Sequence, residues 1–135
     1  MLFSGRLSRR SLLRSWSLGV SIAASLLFGV EAPARPPASV TVVRLVELPV
    51  EVQVVHRSIY AGGPFMYPKD GAVFGNRERV LPPQPRGYYR EYTVRTPGAR
   101  DRGARRIVCG GRQPRAPEAC FYTVDHYTSF YRITP

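Results

Sequence analysis

Two side chains in the second half of the chain, Glu91 and His126, are of types suited to acid–base chemistry. Glu91 lies in "YREYT" (89–93), and His126 lies in "DHY" (125–127). A carboxylate can remove a proton from a hydroxyl group, and a protonated imidazole can return one to a departing oxygen. Taken alone, each has a simpler interpretation: a glutamate on a strand is usually a salt-bridge partner, and a histidine among aromatic residues is usually structural.

Arginine supplies a third kind of chemistry. The chain has nineteen Arg, one Lys and nine acidic residues, which gives a formal net charge of +11. Arginine binds phosphate or carboxylate groups through two parallel hydrogen bonds, whereas lysine acts as a point charge. Arg102 and Arg106 lie in "RGARR" (102–106). Side chains alternate between the two faces of a strand, so both arginines would point to the same face as Val108 if one strand covers all three. Part of that face is therefore predicted to be cationic.

A base, an acid and fixed cations together meet the requirements of RNA cleavage by transphosphorylation. The base takes the proton of the ribose 2′-hydroxyl, the acid protonates the departing 5′-oxygen, and the cations hold the charge of the phosphorane. This scheme needs no metal or other cofactor, which agrees with the lack of a carboxylate cluster in the sequence. The positive charge is equally compatible with arginines that are mostly solvated, or with an anionic membrane as the polyanionic partner.

The first 34 residues are typical of an export signal. Basic "SGRLSRRSLLR" (4–14) precedes an apolar run at 16–30, and Ala32-Pro33-Ala34 fits a small-x-small cleavage site. The run is shorter than a spanning helix and is interrupted by serines, although an uncleaved anchor stays the alternative. The stretch "SRRSLLR" (8–14) is similar to the twin-arginine motif, with a Sec signal as the second interpretation. Removal of residues 1–34 takes away four Arg and one Glu, which lowers the charge by three to +8.

Export would place the two cysteines in an oxidising environment, where disulfides form. Cys109 and Cys120 flank the turn-rich segment "GGRQPRAPEA" (110–119) between two predicted strands. Two cysteines in a small exported domain usually form a disulfide, which here would join the two sides of a long hairpin. A metal site would need more Cys or His nearby, and catalytic thiol chemistry is the least favoured interpretation.

The elements that must position these residues follow an α+β pattern. Residues 35–39 are predicted to be a flexible tail, and residues 40–135 a single domain that begins with a strand. The segment 49–60 is ambiguous, because its Pro49 start and Gly62-Gly63 end favour a helix while its β-branched residues favour a strand. Strands are predicted within 40–48 and 88–96, and the segments 105–109 and 120–133 are predicted to supply two or three more. One helix followed by an antiparallel meander is typical of the α+β class.

Three longer motifs lie in a fixed order along this domain. They are "GPFMYPKDGAVFGNRERVLP" (63–82), "GYYREYTVRTPGARDRGARRIV" (87–108) and "YTVDHYTSF" (122–130). Together they resemble the secreted guanyl-specific bacterial ribonucleases, the barnase-like microbial family, and the similarity runs from about Leu45 to Ile133. The resemblance implies the microbial ribonuclease fold, in which one N-terminal helix packs on a small twisted antiparallel β-sheet.

The resemblance also implies a catalytic role for four matching positions. Glu91 matches the general base of the family, and His126 matches its general acid. Arg102 and Arg106 match the pair that binds the scissile phosphate.

A second set of positions matches the family's substrate-binding residues. These are Phe74, Gly75, Asn76, Arg77, Glu78 and Tyr127. The resemblance implies that Glu78 is the carboxylate that reads guanine. This role agrees with its chemistry, because an ionised carboxylate only accepts hydrogen bonds and the guanine edge offers adjacent N1–H and N2–H donors. Phe74 would stack beneath the base, the backbone amides at 75–77 would donate to its O6, and Arg77 and Tyr127 would contribute to the phosphate pocket.

The implied function is a metal-independent, extracellular endoribonuclease. It would cut single-stranded RNA 3′ of guanosine through a 2′,3′-cyclic phosphate and then hydrolyse that product. The alternative is a catalytically weak, secreted cationic protein that binds RNA or acts on membranes, and only the enzyme needs Glu91 and His126. We expect a monomer with no membrane association after export. Because twin-arginine export carries folded proteins, an acidic cytosolic inhibitor similar to barstar is also expected.

Overall fold

Residues 39–135 form one α-helix and a six-stranded sheet in a computed structural model, which describes this part of the chain. The export signal predicted for 1–34 lies outside the described residues, as does the predicted tail except for Ser39. Within 39–135, no helix has the length and hydropathy needed to cross a membrane.

The helix comes early in the chain, and most of the strands follow it. Strand β1 (Thr41–Arg44) runs into a short 3-10 helix (Leu45–Glu47) and then into helix α1 (Val50–Ala61). The remaining strands are β2 (Ala72–Val73), β3 (Tyr89–Thr93), β4 (Arg106–Gly110), β5 (Ala119–Thr123) and β6 (Tyr131–Thr134). The order in the sheet is β1-β6-β5-β4-β3-β2.

The predicted α+β fold is confirmed, with one difference in strand direction. Every neighbouring pair in the sheet is antiparallel except β1 and β6, which are parallel. Parallel neighbours need a crossover rather than a tight turn, and here the crossover is almost the whole domain. Local sequence patterns carry no signal for a pairing between such distant segments.

The ambiguous segment at 49–60 is helical. Val52 and Ile59 are buried in the core between α1 and the sheet, with 0% and 1% of their surfaces exposed. Gly62 ends the helix in the left-handed conformation (φ 80°), and the Gly63 amide donates to the Ser58 carbonyl. Burial of one helical face therefore outweighs the weak β preference of the valines.

Strand alternation divides the sheet residues between two cores. The face towards α1 carries Tyr92, Val94, Ile107, Cys109, Cys120 and Tyr122. The opposite face carries Tyr89, Val108 and Phe121, which pack with Leu81 and Phe130. Because Glu91 and Thr93 alternate with Tyr92, they lie on this second face, as the strand pattern predicts.

The predicted disulfide is confirmed. Cys109 on β4 and Cys120 on β5 are direct partners in the antiparallel register, with an S–S distance of 2.01 Å. The bond closes the hairpin whose loop is 110–119, and it lies in the core that faces α1. It is therefore on the other side of the sheet from Glu91.

Candidate active site

Glu91 projects from β3 into a network of donors. Its side chain is 15% exposed. Arg102 Nη2 donates to Oε1 over 3.2 Å, and the Tyr127 hydroxyl donates to Oε2. Both donors come from loops rather than from the sheet, so the position of this carboxylate depends on how those loops are held.

Arg102 lies in the loop before β4, because that strand begins only at Arg106. The predicted shared strand face therefore does not extend to Arg102. Its guanidinium still reaches the sheet, since Nε donates to Thr93 Oγ1 over 2.6 Å and Nη2 lies 3.7 Å from Asp70 Oδ1. Asp70 is almost fully buried, with 3% of its side chain exposed, and it accepts the Thr93 amide over 2.7 Å.

Arg106 occupies the first position of β4, opposite Thr93 on β3 and Thr123 on β5. Only 3% of the residue is exposed. Its Nη1 donates to the carbonyl oxygens of Gly103 and Arg105, each over 2.8 Å, so the side chain anchors the loop that carries Arg102. Its buried Nε has no hydrogen-bond partner among residues 39–135.

His126 and Tyr127 lie in a loop at 124–130, which separates β5 from β6, so the segment 120–133 contributes to two strands. Asp125 organises this loop: Oδ1 accepts the Thr123 hydroxyl and the Ser129 amide, each over 2.9 Å. The hydroxyl of Ser129 also donates to Asp125 Oδ2, and this bond is the main reason that the pKa of Asp125 lies below its usual value. His126 and Tyr127 both have positive φ angles, 54° and 75°, which reverse the chain.

The same loop sets the surroundings of its two aromatic rings. His126 is exposed, its amide donates to the Ala104 carbonyl over 3.2 Å, and its ring centre is 4.7 Å from that of Tyr127. Burial, followed by the bond to Glu91, raises the pKa of Tyr127 to about 12. The Tyr127 hydroxyl therefore stays protonated near neutral pH and can donate its hydrogen bond to Glu91 throughout that range. The other histidine, His56, lies on α1, where burial lowers its pKa.

The loop at 74–81 forms the opposite wall. Asn76 has a positive φ of 46°, and its side chain pairs with the backbone of Leu81, donating over 2.8 Å and accepting over 3.1 Å. These two bonds close the loop upon itself and leave Arg77 and Glu78 exposed at its tip. Phe74 anchors its start, since its ring lies 4.9 Å from that of Tyr127.

These walls enclose a cleft of about 710 Å³. Its lining includes all six predicted substrate-binding residues together with Glu91 and His126, and it is completed by Val73, Val80, Thr128 and Phe130. Arg102 and Arg106 are not in the lining, but Arg102 is bonded to Glu91. Residues 39–135 contain no group of three or more side chains that could hold a metal ion.

Comparison with known proteins identifies the family. A family model described as ribonuclease matches residues 33–134. The chain belongs to the ribonuclease family. Guanyl-specific ribonuclease St from Saccharopolyspora erythraea is 49% identical over 104 residues, which are 77% of this chain and 97% of that protein. Guanyl-specific ribonuclease Sa from Kitasatospora aureofaciens is 52% identical over 86 residues, which are 64% of this chain and 85% of that protein.

Solved structures of other ribonucleases share the fold. The crystal structure of ribonuclease Sa2 with guanosine-2′-cyclophosphate matches with a TM-score of 0.65 and 41% identity, over 72% of this chain and 98% of that one. The structure of ribonuclease Sa2 complexes with mononucleotides matches with a TM-score of 0.67 and 40% identity, over 75% and 98%. The ribonuclease resemblance predicted from the three motifs is confirmed.

Two residues of this ribonuclease that hold the site together were not predicted. Asp70 and Thr93 both contact Arg102, and neither lines the cleft. The only sequence signal for Asp70 is the Pro-x-Asp-Gly turn at 68–71, which indicates a turn and not a buried carboxylate. Thr93 carries no such signal, because threonine is common in strands.

Proposed function

We propose that this ribonuclease cleaves single-stranded RNA on the 3′ side of guanosine, forming a 2′,3′-cyclic phosphate that it then hydrolyses. The observation that carries the proposal is the single cleft in which Glu91, His126 and the 74–81 loop meet. The names of the relatives, guanyl-specific ribonucleases, support the same substrate.

Glu91 is the general base of the first step. It takes the proton of the ribose 2′-hydroxyl while the 2′-oxygen attacks phosphorus. Tyr127 and Arg102 donate to its two oxygens, so the carboxylate is already oriented before the substrate binds. Such preorganisation spares the reaction the cost of ordering the base.

His126 is the general acid. Its exposed ring at the rim of the cleft supports proton transfer to the 5′-oxygen as that oxygen leaves phosphorus. In the second step the roles reverse: His126 removes a proton from the attacking water, and Glu91 returns one to the 2′-oxygen. The cyclic phosphate then opens to a 3′-phosphate.

Arginine and tyrosine stabilise the charge that develops on the phosphorane. Arg102 and Arg106 come from one loop and the strand after it, and Arg77 and Tyr127 line the cleft. Fixed donors aimed at a developing oxyanion are usually the largest contribution to such catalysis.

Guanine specificity resides in the 74–81 loop. The Glu78 carboxylate accepts hydrogen bonds from guanine N1–H and N2–H, a pair of donors that adenine lacks. The base stacks on Phe74, and the amides of Gly75, Asn76 and Arg77 donate to its O6. The Asn76 side chain holds the loop in this shape through its two bonds to Leu81.

Cleavage of guanylyl-uridine tests the catalytic assignment. We expect wild type to cut it, and Glu91→Gln to lower kcat by roughly 10²- to 10⁴-fold because the base is lost. Glu51→Gln, on α1, is the matched control and should keep full activity. The enzyme proposal fails if wild type leaves the dinucleotide uncut or if Glu91→Gln cuts it equally fast.

Comparison with adenylyl-uridine tests specificity separately. Glu78→Gln should lower the preference for guanosine by roughly 10- to 100-fold, since hydrogen bonds to a charged group contribute about 1.5–3 kcal/mol. An unchanged ratio of kcat/KM for the two dinucleotides would show that another group reads the base.

Export, a monomeric state and an acidic inhibitor complete the proposal. Export is supported by the N-terminal pattern at 1–34 alone. We expect mature protein in the culture medium, with N-terminal sequencing giving the cleavage site, and a single monomer peak in sedimentation.

Expression of wild type in the cytosol without an inhibitor should be toxic and that of Glu91→Gln harmless. Equal growth of both strains would contradict the need for an inhibitor.

A further inference from the structure

The cleft continues beyond the 74–81 loop. On the far side of Phe74–Arg77 lies a second depression of about 440 Å³, which Gln84, Pro85 and Arg86 close. At Gln84 and Pro85 it adjoins a third of about 480 Å³, which Tyr88 and Arg112 also line. Both volumes lie within the range of ligand sites, about 300–1,000 Å³. We call the surface formed by Gln84, Pro85, Arg86, Tyr88 and Arg112 the side groove.

Tyr88 provides a fixed aromatic ring in the side groove. The ring lies across Gly110 of β4, where any Cβ would collide with it. Its hydroxyl donates to Glu118 over 3.0 Å, and its edge packs against the ring of Tyr89 with centres 5.0 Å apart. Tyr88 is nevertheless half-buried rather than covered. A ring held in this way is a stacking platform for a base.

Two cations accompany this ring. Arg86 and Arg112 are exposed, and neither makes a side-chain hydrogen bond or ion pair within residues 39–135. The acidic residue in the lining, Glu118, already accepts from the Tyr88 hydroxyl. An open positively charged groove with a fixed aromatic ring is the combination with which proteins bind single-stranded nucleic acid.

We propose that the side groove binds the nucleotides that precede the cleaved guanosine, with Arg86 and Arg112 on their phosphates and a base stacked on Tyr88. This inference rests on the proposed function. The scissile phosphate is attached to the 3′-oxygen and belongs beside Glu91 and His126, which line only the first cleft. The side groove begins on the other side of the 74–81 loop. We therefore assign it to the nucleotides on the 5′ side of the guanosine.

Three substrates with one guanosine each test the assignment: guanylyl-uridine, the same dinucleotide extended by two uridines on its 5′ side, and the same extended on its 3′ side. Wild type should have a higher kcat/KM for the 5′-extended substrate than for the dinucleotide. Arg86→Ala/Arg112→Ala should lose this advantage and cut the dinucleotide at the wild-type rate. The salt dependence for the 5′-extended substrate should also weaken, by roughly 1.4 in the slope of log kcat/KM against log salt, since each phosphate contact contributes about 0.7.

The double variant Arg57→Ala/Arg132→Ala is the matched control. It removes the same charge from a different depression, between α1 and β6, and should keep the advantage of the 5′-extended substrate. An equal loss in this control would overturn the proposal in favour of a general charge effect. A loss confined to the 3′-extended substrate, or no advantage of 5′ extension in wild type, would overturn it as well.

Tyr88 gives an independent measurement. Tyr88→Phe keeps the ring and should retain the advantage of 5′ extension, whereas Tyr88→Ala should lower it by roughly tenfold through lost stacking. Binding of the 5′-extended oligonucleotide with 2′-deoxyguanosine, followed by fluorescence anisotropy, needs no cleavage. Weaker binding in Arg86→Ala/Arg112→Ala than in the control supports the groove even if the proposed catalysis fails, and equal binding overturns it.

Discussion

Arg102 connects Glu91, which lines the cleft, to Thr93 and Asp70, which do not. Thr93 accepts from its Nε, and its Nη2 lies between the carboxylates of Glu91 and Asp70. Nη1 makes no hydrogen bond with any residue of 39–135, so in the proposed function it is the nitrogen that binds a phosphate oxygen. The plane of the guanidinium is thus fixed by Glu91 together with Thr93 and Asp70, two residues that do not line the cleft.

We expect Thr93→Val to weaken catalysis although Thr93 does not line the cleft. The substitution keeps the shape of the side chain and removes the acceptor for Arg102 Nε, so the guanidinium loses its fixed plane. A lost hydrogen bond to a charged group predicts a fall in kcat/KM of roughly 10- to 100-fold on guanylyl-uridine.

Thr93→Ser restores the acceptor and is the control for this experiment. It should recover most of the activity, and thermal unfolding of both variants would separate a loss of folded protein from a loss of positioning. Full activity in Thr93→Val would show that Arg102 does not need this bond.

The residues that line the cleft could be predicted from the sequence, while Asp70 and Thr93, which hold Arg102, could not. Glu91, His126 and the 74–78 segment occur in short motifs whose residue types match a reaction. Asp70 acts through burial and through contacts with Arg102 and with Thr93, a residue 23 positions away. Such contacts exist only once the chain has folded, and a single sequence does not contain them.

The loop at 124–130 shows the same limit for a whole element. Its aromatic and threonine residues favour a strand, and the sequence predicts one or two strands over 120–133 without placing the break between them. Asp125 breaks the strand, because its carboxylate binds Thr123 and Ser129 and replaces the ladder between neighbouring strands. The resulting turn, with two residues at positive φ, is what brings His126 and Tyr127 to the cleft.

Stability at low pH should depend on Asp125. The Ser129 hydroxyl lowers the pKa of Asp125 in the folded state. Its contribution is therefore fully present above the unfolded value of about 3.9 and is lost as pH falls through the lower folded value. We expect Asp125→Asn to be less stable than wild type near pH 6 and the difference to shrink below about pH 4.

Urea unfolding at a series of pH values measures this difference. Ser129→Ala should reproduce part of the effect, because the Ser129 hydroxyl is the largest cause of the lowered pKa. A constant difference between Asp125→Asn and wild type from pH 6 to pH 2 would contradict the interpretation.

The sheet separates the disulfide from the proposed catalytic carboxylate, although each of its two faces carries a buried core. Helix α1 and the disulfide lie on one face, and Glu91, the residue of β3 that lines the cleft, lies on the other. A domain of this size has a small core, so a covalent link adds a large share of its stability. Changes on the helix face should therefore alter unfolding much more than catalysis.

Removal of the disulfide tests this separation. Cys109 and Cys120 are 11 residues apart, and closing a loop of that size contributes about 3 kcal/mol. Cys109→Ala/Cys120→Ala should lower Tm by roughly 12–24 °C. Activity on guanylyl-uridine at 25 °C should stay within about threefold of wild type.

Reduction of the wild-type protein should give a similar fall in Tm and should leave the double variant unchanged. Loss of activity in the folded double variant at 25 °C would show that the two faces are coupled.

The parallel pairing of β1 with β6 has a consequence for the order of folding. The hairpins β3–β4 and β4–β5 join segments close in sequence, whereas the bond from Thr134 to the Val43 carbonyl joins residues 91 positions apart. Contacts of long sequence separation form late, because a large loop must close first. In pulse-labelled hydrogen exchange during refolding, the amides of β4 should become protected before those of β1. During synthesis, the first strand therefore stays unpaired until residues 131–134 have left the ribosome.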